Sequence, residues 1–126
     1  MIIADTDVLI DFLRGFDPVA DRIESALAQG LSITAISAFE LWDGSVGSKK
    51  REKAVSDLIA AMKILPLDAA SAKRAAAVRQ HLKRKGRTLG MADSLIAGIC
   101  LEKQAPLLTR NRRHFEDVPG LALGRI

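Results

Sequence analysis

A single cysteine, Cys100, stands in the 126 residues of the chain. An intrachain disulfide and a thiolate zinc cluster are both excluded. Cys100 lies in an apolar stretch and is expected to be a small core residue in a reducing compartment. Tyrosine is absent and aromatics make up 4% of the residues, which argues against a single-strand binder built on stacked bases. No apolar run is long enough to span a membrane. No basic start followed by an apolar run and a cleavage site opens the chain. A soluble, cytoplasmic protein without a membrane partner is expected. Repeats and low-complexity tracts are also missing.

What is present is enough for one domain, residues 1–126, with a core that needs no disulfide. Hydrophobic residues make up 48% of the chain, which argues against disorder. Charge is unevenly distributed. Residues 1–47 carry a net charge of −6 and residues 48–126 a net charge of +10. An acidic half beside a basic half suits a polyanion held next to a cation-binding acid cluster. Solvated helix faces are the plainer explanation.

Short apolar runs alternate with helical periodicities. Met1–Asp5, Leu31–Ile36, Ile64–Leu67 and Pro106–Thr109 read as strands, with Leu121–Leu123 a further short one. Pro66 favours an edge position for its strand. Asp7 is expected to cap a helix bearing Val8, Leu9, Phe12, Leu13 and Phe16. Asp17 and Pro18 suit the cap and first turn of a second helix that runs to Gly30. Ser37 is expected to cap a third, and residues 52–62 to have the period of a fourth, with Lys49–Lys53 a charged connection or helix start. A long helix follows from Asp68 to about Lys85, and a nearly all-apolar one over residues 91–103. Alternation of this kind implies an α/β fold with a mainly parallel sheet.

Three acids lie in largely apolar settings. Asp5 ends the first strand, where open parallel sheets place ligand chemistry. Glu40 lies in Ala38-Phe39-Glu40-Leu41-Trp42, and Asp93 in Gly90-Met91-Ala92-Asp93-Ser94-Leu95. Buried acids are costly unless paired or bound to a cation. Magnesium takes oxygen ligands and needs only one or two carboxylates. Helix N-termini keep such acids charged. Each also has an ordinary structural reading: a strand-end acid, half of an ion pair and a helix cap, respectively.

These residues, in order, resemble the PIN domain. They are Asp5-Thr6-Asp7-Val8-Leu9-Ile10, Thr34-Ala35-Ile36-Ser37-Ala38-Phe39-Glu40-Leu41, Leu89-Gly90-Met91-Ala92-Asp93-Ser94-Leu95-Ile96-Ala97 and Leu108-Thr109-Arg110-Asn111. Within that family the chain is most similar to VapC-type toxins. The resemblance implies a three-layer α/β/α sandwich and a metal-dependent endoribonuclease using Mg²⁺, or Mn²⁺. It makes Asp5, Glu40 and Asp93 the catalytic, metal-binding acids. It also implies a cognate antitoxin and a homodimer within the toxin–antitoxin complex. One position departs from the pattern. His114 stands where the family often has a fourth acid, and imidazole suits manganese better than magnesium. His114 is a ligand, a phosphate contact or proton carrier, or a structural residue.

Thr6, Arg110, Asn111, Arg112, Arg113 and His114 are the candidate substrate contacts. Lys83, Arg84, Lys85 and Arg87 would extend the track for RNA phosphates. Leu9, Phe12, Leu13, Phe16, Trp42 and Val46 exceed what one small core needs, and some are expected to form an antitoxin groove. Other readings are a non-catalytic RNA- or protein-binding module, and a haloacid-dehalogenase-like phosphatase with Asp5 as nucleophile and Asp7 as general acid. A phospho-acceptor receiver domain is a third. The phosphatase and the receiver each want an adjacent acidic pair and a late lysine that the chain does not offer in the right places.

Overall fold

The three residues of the first strand, β1 (Ile2–Ala4), already divide the molecule into layers. Successive strand side chains point to opposite faces. Ile3 joins one buried cluster, while Ala4 joins the other with Ile2 packed against it. Leu107 and Leu108 divide in the same way.

The computed structural model describes residues 1–126. After β1 come α1 (Thr6–Leu13), α2 (Val19–Gln29), β2 (Leu31–Thr34), α3 (Ala35–Ser45) and α4 (Lys49–Ala60). Then follow β3 (Lys63–Leu65), α5 (Ala69–Arg84), α6 (Met91–Lys103), β4 (Leu107–Leu108) and α7 (Arg112–Phe115). The four strands lie in the order β3-β2-β1-β4 and every pairing is parallel. Ile3 stands opposite Ser32 on one side and Leu107 on the other. The cluster holding Leu9, Ile23, Ile33, Leu41 and Leu58 fills the space under α1–α4. The cluster holding Leu82, Ile96, Ile99 and Phe115 fills the space under α5 and α6. The expected three-layer sandwich is therefore the one that forms. No helix is long and apolar enough to cross a membrane.

Local boundaries differ from the expected ones. Helix α1 starts at Thr6, with Asp5 rather than Asp7 as its N-cap. Pro18, not Asp17, occupies the cap of α2, with no side-chain cap bond. Thr34 rather than Ser37 caps α3, accepting from the Ser37 N–H at 3.1 Å. Helix α4 begins at Lys49 because Ser48 caps it, so the charged run is its first turn. Pro66 falls just beyond β3, which is an edge strand as expected. Leu121–Leu123 contributes only a single bridge, Leu123 to Leu107, along the outer edge of β4.

Helix α6 crosses α5 at Gly98. A Cβ there would collide with the Ser71 backbone oxygen and lie 2.8 Å from the Ala75 Cβ. Gly98→Val should therefore destabilise the fold by about 1–3 kcal/mol through overpacking. Denaturant unfolding measures this, and an unchanged midpoint would show that the helices separate freely.

Candidate active site

The site forms at the carboxyl ends of β1 and β4. The Asp5 N–H donates to the Leu108 carbonyl at 2.9 Å, so the β1–β4 ladder continues one step past β1. That pairing sets Thr109 beside Asp5, and the Thr109 hydroxyl donates to Asp5 Oδ2 at 2.8 Å. The other carboxylate oxygen, Oδ1, accepts from the Thr6 N–H at 2.8 Å as the α1 cap. The Thr6 hydroxyl turns the other way and donates to Glu40 Oε1 at 2.7 Å. Thr6 thus ties Asp5 on α1 to Glu40 on α3.

Asp93 enters from the first turn of α6. It lies close enough to Asp5 to disfavour ionisation there. The His114 ring approaches it, with Nδ1 at 3.2 Å from Asp93 Oδ2. Asp5 and Glu40 are joined through Thr6, Asp93 and His114 pair with each other, and the two pairs are near enough for Asp93 to act on the charge of Asp5. His114 brings a hydrogen-bonding partner to Asp93.

Asp5 is 4% exposed. Burial pushes its carboxyl from 3.8 up to about 7, and the neighbouring Asp7 adds to the rise. The hydrogen bonds from Thr109 and Thr6 pull in the opposite direction, and Asp93 pushes it up again. Asp7 is also raised, first by burial, against hydrogen bonds from the backbone of Arg110, Val8 and Asn111. These groups are arranged as a concentration of negative charge that the fold alone does not neutralise. No three His, Cys, Asp or Glu side chains converge closely enough to ligate one ion as they stand. One or two carboxylates with water suffice for magnesium, so this oxygen-rich set fits a hard cation.

Thr109 and Asp11 were given no role from the sequence, and Asp7 was expected as a helix cap. Thr109 bridges Asp5 and supports the next loop, accepting from the Asn111 N–H at 3.0 Å. Asp7 accepts from the Arg110 N–H at 3.0 Å instead of capping α1. Asp11 is buried and pairs with the Arg110 guanidinium. A signal was available: Asp7 and Asp11 are four residues apart on a helix whose other residues are mostly apolar. Arg110 is therefore engaged by α1, and the Arg112 guanidinium donates to the Gly124 carbonyl at 2.9 Å. Arg113 is exposed with no ion pair. Arg87 pairs with Asp117 at 2.7 Å, which fastens the end of the α5–α6 loop beside α7.

A cleft of about 520 Å³ opens on the other side of Glu40, between α1, α3 and α4. Ile10, Leu13, Leu41 and Val55 line it, and Arg14, Lys50 and Arg51 add positive charge. Leu9 is fully buried and cannot belong to such a groove. Phe12 is partly buried against the core. Phe16, Trp42 and Val46 are exposed but lie outside this cleft.

Comparison with known proteins gives the family and the fold. The PIN domain family model matches residues 2–121. The chain is similar to Ribonuclease VapC10 of Mycobacterium tuberculosis, at 34% identity over 116 residues, 91% of this chain and 86% of that one. It is similar to the tRNA(fMet)-specific endonuclease VapC of Shigella flexneri, at 31% identity over 121 residues, 93% of this chain and 91% of the other. Its fold matches a chain in the structure of VapBC-1 from nontypeable Haemophilus influenzae, with a TM-score of 0.83 and 27% identity over 98% and 97% of the two chains.

The raised Asp5 carboxyl has a consequence for stability without divalent ions. Below pH 3.8 the group is protonated in both the folded and unfolded chain and contributes nothing. From there up to about 7 the unfolded chain releases a proton that the folded chain keeps, so the penalty grows with pH and then levels off. Asp5→Asn should remove it, stabilising the metal-free protein above neutrality by up to about 4 kcal/mol. Unfolding in EDTA as a function of pH tests this. A constant difference between the two proteins from pH 4 to 8 would contradict it.

Proposed function

The chain belongs to the PIN-domain family, among its VapC-type ribonucleases, and we propose that it hydrolyses RNA at the cluster of Asp5, Glu40 and Asp93 with a divalent cation. The observation that carries this reading is Asp5 itself. A carboxylate buried at a strand end, with Asp7 and Asp93 opposing its ionisation, gains its charge when a cation is bound. Asp5 and Asp93 would hold the ion and Glu40 would complete the site. Mg²⁺ is the favoured ion because the donors are oxygens, with Mn²⁺ admitted by His114. A bound divalent cation stabilises phosphoryl charge and makes water a better nucleophile at neutral pH.

The chain's own groups do the positioning. Thr6 orients Glu40 through its hydroxyl, and Thr109 orients Asp5. His114 lies against Asp93 on the short helix that follows Asn111, so both can reach a phosphate seated over the acids. Arg113 and the exposed Lys83, Arg84 and Lys85 at the end of α5 offer charge to the approaching strand. Arg110 positions rather than binds, because Asp11 holds its guanidinium.

The protein acts as the toxin of a toxin–antitoxin pair. In this reading the cleft between α1, α3 and α4 receives an amphipathic segment of the antitoxin. Its apolar floor takes the segment's apolar side chains, and Glu40 at its end receives a basic one. A homodimer belongs to the same proposal. The exposed Phe39 and Met91, on α3 and α6, give a second copy an apolar face.

Purified protein freed of antitoxin should cut a cellular RNA pool into discrete fragments with Mg²⁺ or Mn²⁺, and not in EDTA. Asp5→Asn and Asp93→Asn should each lower the rate at least about 100-fold. Metal-dependent fragments that persist in both variants would place the chemistry elsewhere. RNA binding with no cleavage by folded protein would select a non-catalytic module.

The cleft has its own test. Leu13→Asp should weaken binding of the antitoxin encoded beside the gene by about 10-fold or more and leave RNA cleavage intact. Undiminished antitoxin affinity would remove the cleft from the interface.

A further inference from the structure

Four arginines gather at the C-terminal segment, and only one has a carboxylate partner. Arg110, Arg112 and Arg125 line a pocket of about 520 Å³ beside Thr109. They come from the loop after β4, from α7 and from the final three residues. Arg22 reaches the same segment from α2, its Nε donating to the Arg125 carbonyl at 2.9 Å. Arg112 donates to the neighbouring Gly124 carbonyl. Asp11 neutralises Arg110, but no acid stands within ion-pair distance of Arg22, Arg112 or Arg125.

Two backbone carbonyls do not offset three cations. Convergence of like charge is unfavourable unless an anion joins it. Guanidinium groups are suited to phosphate oxygens because their donors form a planar fork. Beside the three arginines and Thr109, the lining of the pocket is made by Pro18, Val19 and Ile126. Thr109 ties it to the acidic cluster. Thr109 lines the pocket and its hydroxyl donates to Asp5, so one side chain separates the two places.

We propose that this pocket seats a phosphodiester of the RNA strand adjacent to the one that is cut, with Arg112 and Arg125 as its contacts. The assignment rests on the nuclease reading above and extends it to the path of the strand. Cleavage occurs on one side of Thr109, and the neighbouring phosphate is held on the other. Arg110 lies between them and is fixed by Asp11, so it supplies the shape of the wall. Arg22 holds the tail that carries Arg125.

The test uses a single-stranded RNA of about 12 nucleotides and the full chain carrying Asp5→Asn, in EDTA, so that binding is read without cleavage. Affinity is measured by anisotropy across a salt titration. Arg112→Gln with Arg125→Gln should weaken binding by about 10-fold and make the log–log salt slope shallower by about 1–2. Arg125→Gln alone removes no side-chain hydrogen bond and should give about half of the slope change. Lys73→Gln with Arg79→Gln removes the same charge from the exposed side of α5 and should leave both quantities nearly unchanged. Equal loss in this control, or no loss in the arginine variants, overturns the subsite.

Cleavage with Mg²⁺ by the chain with Asp5 intact separates the two ideas. If it cuts RNA and the arginine variants keep its KM, the subsite is wrong and the nuclease stands. If the arginine variants raise KM with kcat nearly unchanged, the subsite holds. If the chain with Asp5 intact cuts nothing while the arginine variants lose affinity and slope, the pocket still binds phosphate and the nuclease reading fails.

Discussion

Asp5 has to satisfy two structures with one carboxylate. One oxygen caps α1 through Thr6, and the other accepts the Thr109 hydroxyl. The first bond fixes where the helix begins and therefore where Asp7 and Asp11 point. The second fixes the loop after β4 and therefore Asn111 and His114. The residue that most needs a cation is thus also the residue on which the local backbone is organised. Natural proteins tolerate such charge concentration when function requires it, at a cost in stability. Burial pushes the Asp5 carboxyl up to about 7, so in the proposed reading proton and cation would compete for the same oxygens near neutral pH.

The rest of the fold supplies the rigidity this arrangement requires. A parallel sheet covered on both faces has little freedom to shift register, because a one-residue slip exchanges the side chains of its two cores. With Ile3 and Ala4 committed to opposite layers, the end of β1 cannot move relative to β4 without exposing one of them. The placement of Thr109 against Asp5 follows from that register. The carboxylate–arginine pair of Asp11 and Arg110 then holds the loop from the α1 side. The Arg87–Asp117 pair holds the far side of α7.

How much of this was legible depends on how far along the chain each contact reaches. Asp5, Glu40 and Asp93 could be singled out as candidates because each is an acid in a largely apolar stretch of sequence, a local property. The α/β class and the parallel sheet followed from strand and helix periods for the same reason, while the three layers were implied by the family resemblance. Thr109 could be quoted in a motif but not given a role, since its partner lies 104 residues away and depends on strand order. Arg110 was read as a phosphate contact because its neutralising acid, 99 residues away, is hidden in the first helix. The start of helix α4 was left between a connection and a helix start because its first turn, Lys49-Lys50-Arg51, has no apolar period and is started by the Ser48 cap. Helix α7, with four residues, is too short to have a period at all.

The division of charge along the chain takes on a spatial meaning once the loop contacts are known. The acidic first part supplies Asp5, Asp7, Asp11 and Glu40, and the basic second part supplies the arginines after β4. Some of that charge cancels internally, as at Arg110, and contributes to order. What remains uncancelled includes the lysine-rich end of α5, Arg113, and Arg112 and Arg125 at their pocket. A polyanion approaching an acidic centre is repelled by it unless cations flank the path. In the proposed reading, such cations would draw the strand across the acids and leave the centre itself for the metal ion. Specificity for a particular RNA must then come from the strand's shape and its unpaired bases, because arginine contacts to phosphate position the strand without reading its sequence.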